Sequence, residues 1–162
     1  MLPLRPLKME FENETMVIRA NGANVTGELR GPAVSTAASV VSAIPAVRAW
    51  LLPVQRSIGE KGSVVAEGRD IGTKVFPSPA VKFFLEADAT VRAERRHREL
   101  VAAGHSPKIE QTSAEMAGRD SRDRTRAVAP LVPADDAHHI DTSQLSAAEV
   151  VDRMMGIIAA KT

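Results

Sequence analysis

The segment GSVVAEGRDIGT, residues 62–73, joins a short apolar run to a cluster of glycines and charges. Residues 64–66 have the composition of a buried strand, and the sequence predicts one there. In open parallel sheets ligands bind beyond the carboxyl ends of the strands, which is where Arg69 and Asp70 would fall, and Gly68 permits a close backbone approach. Taken alone, the segment is equally typical of a turn with a local ion pair.

A second charged segment, GRDSRDRTRAVAPL, covers residues 118–131. In a helix, residues three, four and seven positions apart share one face. That face carries Arg119, Arg122, Asp123 and Arg126. Planar guanidinium groups bind phosphate oxygens in a bidentate way, so the segment is typical of a site for a polyanion. A solvated helix with internal ion pairs is the alternative.

The N-terminal part of the chain predicts a small antiparallel sheet followed by helices. Alternating apolar and polar residues over 9–20 predict a hairpin. Two apolar helices are predicted at residues 32–43 and 45–58, and Pro53 is expected to kink or interrupt the second.

After Gly62 the pattern alternates strands and helices, as in α/β sheets. The predicted strands cover residues 64–66, 81–85 and 137–142, and the predicted helices cover residues 88–103, 113–126 and 146–160. Asp88 and Ser146 are expected to cap the helices that follow them.

Composition limits the class of protein. The 162 residues, 44% hydrophobic, are enough for one ordinary core. The net charge of +1, with Asp120 and Asp123 inside the arginine cluster, counts against nucleic acid as a partner. With zero cysteines, disulfides and thiolate metal sites are excluded, and the absence of a membrane-length apolar run counts against a membrane partner. We expect a cytoplasmic protein.

The two charged segments together resemble bacterial cytidylate kinases. The motif EGRDIGT at residues 67–73 is followed by VFP at 75–77, and RDSRDRTRAVAPL follows at 119–131. Further matching stretches lie at residues 25–30, 37–39, 44–48, 132–137 and 140–143. The resemblance therefore runs in order from about Leu7 to the C-terminal helix.

This resemblance implies an α/β fold, the truncated core of a P-loop nucleoside monophosphate kinase, in which helices flank a parallel sheet. A small antiparallel α+β insert would bind the substrate. The implied boundaries are residues 1–58 for the insert and 59–162 for the partial core, with a lid at about 104–130.

The resemblance also implies a site for CMP or dCMP. Its residues would be Ser39, Arg48, Arg69, Asp70, Arg119, Asp123 and Arg126. Ser39 and Arg48 match contacts to the cytosine base, whereas Arg69, Asp70 and Arg126 form the implied catalytic set. Arg95 is placed like a lid arginine that closes on the phosphates of ATP, the co-substrate that enters with Mg²⁺. No protein ligand for a metal is assigned.

Each of these residues also has an ordinary structural interpretation. Ser39 would be a serine inside a helix that bonds its own backbone. Arg48 and Arg95 would be solvated arginines on helix surfaces.

The 162 residues contain no Gly-x-x-Gly-x-Gly-Lys-[Ser/Thr] loop, which in such kinases holds the donor phosphates. We therefore expect the chain to resemble the C-terminal part of a cytidylate kinase and to have negligible kinase activity alone. Three hypotheses follow: a cytidylate kinase, a non-catalytic nucleotide-binding module, and a nucleic-acid-binding protein. A complementing N-terminal fragment and self-association are the further partners expected.

Overall fold

A computed structural model of the chain describes residues 7–13, 15–60, 62 and 64–161. Its first element is an antiparallel sheet of β1 (Leu7–Glu12), β2 (Thr15–Ala20) and β3 (Ala23–Asn24). Asn13, Asn21 and Gly22 lie at the two turns with φ of 49°, 52° and 82°, a conformation that Asn and Gly adopt more readily than other residues. The predicted hairpin is confirmed.

Two helices follow the antiparallel sheet. A 3₁₀ turn (Glu28–Arg30) leads to α1 (Pro32–Val41) and then α2 (Pro45–Gly59). Each helix begins at a proline, whose fixed φ and missing N–H suit the first helical position. Pro53 does not interrupt α2, because a proline removes only one bond of the helical ladder and the flanking turns keep theirs. The expected interruption is therefore wrong, and the kink stays a prediction.

None of the described helices is by itself long and apolar enough to span a bilayer. The helices α1 and α2 meet that criterion of length and composition only as a pair, and the pair is bent by 102°.

The predicted strand over residues 64–66 is wrong. This stretch forms no strand, and the Val65 side chain is 99% exposed. The physical reason is pairing: a strand needs a neighbour to satisfy its N–H and C=O groups. The described strands of the parallel sheet pair only with each other.

A π-helical turn (Ile71–Val75) comes next and is anchored to α2. Arg56 donates from Nε to the Val75 carbonyl at 3.0 Å and from Nη2 to the Lys74 carbonyl at 2.8 Å. Gly59 allows the Phe76 ring to approach, since a Cβ there would lie 2.3 Å from the ring. These contacts set the position of the residues just before the turn.

The second sheet is parallel and pairs β4 (Phe83–Glu86) with β5 (His138–Asp141). Phe83 lies opposite His138 and Leu85 lies opposite Ile140. Ile140 is 1% exposed and belongs to the core. Both strands overlap the predicted ones.

Three helices complete the fold: α3 (Ala89–Ala102), α4 (Ile109–Thr125) and α5 (Ala147–Ala159). Helices α3 and α4 pack against each other, and each carries buried residues: Ala93 and Leu100 on α3, and Thr112 on α4. Burial of Thr112 explains why α4 begins at Ile109, one turn before the predicted Ser113, since tertiary packing outweighs the polar local sequence.

The predicted helix caps have different outcomes. Asp88 occupies the N-cap position of α3, but its side chain makes no capping hydrogen bond. Ser146 caps α5 in a reciprocal capping box: its hydroxyl accepts from the Glu149 N–H at 3.3 Å, and the Glu149 carboxylate accepts from the Ser146 N–H at 2.8 Å. Two N–H groups of the first turn are thereby satisfied.

We expect Ser146→Ala to lower the free energy of unfolding by about 1 kcal/mol, because the first turn of α5 loses its cap. Urea unfolding followed by circular dichroism measures the change. Ser113→Ala, an exposed serine inside α4, is the matched control and should cause no loss. Equal stability of wild type and Ser146→Ala would contradict the role of the cap.

The same capping box predicts a pH dependence. Hydrogen bonds from the Ser146 hydroxyl and N–H lower the pKa of Glu149 below its ordinary value. This carboxylate therefore stabilises the fold fully above its ordinary pKa, and that stability is lost as the pH falls through the lowered pKa. Glu149→Gln should reduce stability at pH 7 and make little difference at pH 2, as measured by urea unfolding. A difference that grew towards low pH would have the wrong sign.

Candidate functional site

Eight charged side chains meet where the loop before the π-helical turn approaches α2, α3 and α4. We call them the arginine–aspartate cluster: Arg48, Arg69, Asp70, Arg92, Arg119, Asp120, Asp123 and Arg126. Five guanidinium groups face three carboxylates, so the cluster carries two excess positive charges. It joins all six predicted charged residues of the CMP site.

Asp70 joins the N-terminal helices to the end of α4. Its carboxylate pairs with Arg48 of α2 and lies 3.4 Å from Nη2 of Arg126. Its backbone carbonyl accepts from the Lys74 N–H at 2.9 Å, so the π-helical turn fixes its position. Asp70 thus brings residues from two separate segments to one point.

Asp123 lies at the centre of the cluster and is only 3% exposed. Its carboxylate oxygens lie 3.4 Å from Arg69 Nε, 3.7 Å from Arg119 Nε and 3.7 Å from Arg126 Nη1. A buried carboxylate needs such partners, because charge is costly to remove from water.

These ion pairs leave hydrogen-bonding capacity unused. Within the described part of the chain, Asp123 Oδ2, Arg119 Nε and Arg126 Nη2 are buried without a hydrogen-bond partner. Buried polar groups normally find partners. A ligand with phosphate oxygens and hydroxyl groups supplies both acceptors for the guanidinium groups and donors for the carboxylate.

Arg126 is held by the chain that follows α4. Its Nε donates to the Ala129 carbonyl, and its side chain is 6% exposed. Ala129 has a φ of 53°, the left-handed region that an alanine enters at a cost. Leu131 N–H donates to the Asp123 carbonyl at 2.7 Å, which fixes the same segment against α4.

Asp120 links the cluster to α3. It pairs with Arg92 and lies 3.7 Å from Arg69 Nη1. Arg92 also donates from Nε to the Ala87 carbonyl at 3.0 Å, so both ends of this link are fixed.

A cavity of about 530 Å³ opens on one side of the cluster. Its charged lining comprises Glu67, Arg69, Arg92, Arg95, Arg96, Glu99, Arg119 and Asp120, together with Leu29, Ser35 and Met116. Five arginines against three acidic residues favour an anion, and the volume lies within the range of about 300–1,000 Å³ common for small-molecule sites.

The two residues predicted to contact a base flank this region. Arg48 reaches Asp70 and donates to the Ser42 carbonyl at 3.2 Å. Ser39 is 4% exposed, and its hydroxyl accepts from Arg122 Nε at 3.3 Å. Ser39 borders a smaller cavity of about 60 Å³ that shares Arg119 with the larger one.

Arg95 borders the larger cavity but stands apart from the ion pairs of the cluster. It donates to the Thr142 hydroxyl at 3.0 Å, the Thr142 carbonyl at 2.6 Å and the Leu145 carbonyl at 3.1 Å. In this conformation it ties α3 to the loop between β5 and α5. Its predicted role towards the phosphates of ATP remains a prediction.

Three residues of the site received no individual role from sequence: Arg92, Asp120 and Arg122. Asp120 and Arg122 lie in the charged segment 118–131, which was the available signal. Arg92 pairs with Asp120 across 28 positions and Arg122 contacts Ser39 across 83, separations that no spacing rule connects.

The amino-acid sequence matches one family of known proteins. The family model described as cytidylate kinase matches residues 3–160. A protein named cytidylate kinase from Actinobacillus succinogenes is 43% identical over 98% of this chain and 71% of its own length. Proteins of the same name from Syntrophotalea carbinolica and Geobacter sulfurreducens are 47% and 48% identical, over 90% and 87% of this chain.

The match spans 62% and 60% of the length of these last two relatives. The chain thus corresponds to somewhat less than two thirds of such proteins, and to nearly three quarters of the first. Because the family match extends over nearly all of its residues, the chain belongs to the cytidylate kinase family.

Proposed function

We propose that the arginine–aspartate cluster binds CMP or dCMP as the phosphoryl acceptor of a cytidylate kinase reaction. One observation carries the proposal: guanidinium groups from α2, α4 and the loop at Arg69 converge around Asp70 and Asp123 with buried hydrogen-bonding atoms unused. Five arginines beside a cavity of about 530 Å³ suit a nucleotide monophosphate in charge and size.

Each part of the nucleotide has proposed partners in the cluster. Arg69, Arg119 and Arg126 would hold the phosphate, because their planar groups match its oxygens. Asp123 would accept hydrogen bonds from the sugar hydroxyls through Oδ2, which makes none within the described residues.

The base would lie towards Ser39 and Arg48. We assign Arg69, Asp70 and Arg126 to catalysis, which in phosphoryl transfer consists mainly of positioning and charge neutralisation. ATP is the proposed donor and enters with Mg²⁺, for which we assign no protein ligand in this chain.

The proposed organisation has residues 1–58 as the nucleotide-binding insert and 59–162 as the partial core. We further propose that residues 104–130, which include α4, close over the phosphates as a lid. Arg95 would reach the donor phosphates after exchanging its bonds to Thr142 and Leu145. The reaction would take place in the cytoplasm.

Completion of the donor site is a separate part of the proposal. The 162 residues contain no phosphate-loop motif, and residues 64–66 are exposed without a strand partner among the described strands. We propose that a complementing N-terminal fragment pairs with the backbone of this stretch. Alternatively, two copies of the chain associate through it.

The second candidate function is a non-catalytic nucleotide-binding module. It is favoured by the same combination of a retained acceptor cluster and no phosphate-loop motif within the 162 residues. Binding without turnover distinguishes it from the kinase.

Binding is tested by calorimetric titration of the chain with CMP, with AMP as the comparison ligand. We expect CMP to bind selectively and Arg126→Ala to weaken it at least about tenfold, because two charge-assisted hydrogen bonds to phosphate are lost. Arg153→Ala, an exposed arginine of α5, is the matched control and should bind as wild type. A folded chain that binds no CMP, confirmed by circular dichroism, would refute the proposed site.

Turnover is tested on the same sample by a coupled assay for ATP consumption with CMP present. We expect no rate above background from the 162-residue chain alone, since the donor phosphates lack backbone amides and a lysine to hold them. Arg126→Ala serves as the blank for contaminating kinases. A rate in wild type that disappears in Arg126→Ala would show that the chain holds ATP by other means.

A further inference from the structure

The Ser39 hydroxyl is buried and does not use its hydrogen-bond donor. The residue is 4% exposed on α1, and its oxygen accepts a hydrogen bond from Arg122 Nε at 3.3 Å. Within the described residues the hydroxyl donates to no acceptor, although inner-helix serines commonly donate to their own backbone. The ordinary structural interpretation of Ser39 therefore does not account for its contacts.

Arg122 determines that the hydroxyl is left free to donate rather than to accept. A guanidinium group only donates, so the serine oxygen must accept, and the hydroxyl proton points away from Arg122.

The surroundings of Ser39 allow a ligand to receive that proton. Ser39 and Arg122 both border the cavity of about 60 Å³, and Arg119 and Ser35 connect it with the larger cavity beside the cluster. The adjacent positive charge of Arg122 polarises the hydroxyl into a stronger donor and disfavours the approach of an N–H group.

We propose that Arg122 is a positioning residue for base selection: it holds the Ser39 hydroxyl as a donor towards the acceptor edge of a pyrimidine. This inference rests on the proposed CMP site. Cytosine offers an acceptor at N3, whereas uracil carries N3–H, a donor that would meet the Ser39 proton and the guanidinium charge. The pair therefore selects cytosine over uracil.

The expected size of the effect follows from hydrogen-bond pairing. A site whose buried donor loses its acceptor pays the full desolvation cost of that group. Removing Arg122 lets the hydroxyl rotate and accept from N3–H, so the penalty against uracil falls. We expect the preference for CMP over UMP to fall roughly tenfold, the effect of about one hydrogen bond.

The test is a double-mutant cycle on the ratio of the UMP dissociation constant to the CMP dissociation constant, measured by calorimetry and competition. The variants are Arg122→Met, Ser39→Ala and the double variant, with thermal unfolding as the check of folding. Arg124→Met, on an exposed arginine of the same helix, is the control and should keep the wild-type ratio. Arg122→Leu, which likewise removes the donor and the charge, replaces Arg122→Met if the latter does not fold.

We expect Arg122→Met to lower the ratio, and the same change to lower it much less when Ser39 is already alanine. An unchanged ratio, or an equal fall in both backgrounds, overturns it while leaving the CMP site intact. Failure of wild type to bind CMP at all would instead refute the proposed function, and this inference with it.

Discussion

The buried carboxylate of Asp123 is the constraint on which the site depends. A charge that is 3% exposed must be compensated, and the partners of Asp123 among the described residues are side chains one turn away and the loop at Arg69. Arg119 and Arg126 supply the helical part of that compensation and Arg69 supplies the rest. The pairing fixes the loop against α4, and Asp70, the next residue, then reaches Arg48 of α2.

A linked set of opposite charges serves an anion-binding site better than arginines alone would. Uncompensated guanidinium groups repel one another, whereas alternation with aspartates holds them at ion-pair distances before any ligand arrives. The long distances of 3.4 to 3.7 Å around Asp123 leave directional hydrogen bonds unmade. Preorganisation is thus obtained without saturating the groups that would bind phosphate.

The features that depend on neighbouring residues along the chain could be predicted from the sequence. Helical spacing predicted a shared face for Arg119, Asp123 and Arg126, and Ser146 was predicted as the cap of α5, although its reciprocal bond with Glu149 was not. Residues 64–66 failed as a predicted strand because β propensity acts only when a neighbouring strand is present. The contact between Ser39 and Arg122 was beyond prediction, because it depends on how α1 meets α4.

Ala129 combines a strained backbone with a contact that holds Arg126 in place. Its φ of 53° places the carbonyl against Arg126, and a glycine would adopt that conformation with less strain. The same replacement would also raise the conformational entropy of the unfolded chain, which opposes folding. An alanine at this position therefore exchanges backbone strain in the folded chain for less freedom in the unfolded one, so the firmly held Arg126 need not cost the protein stability.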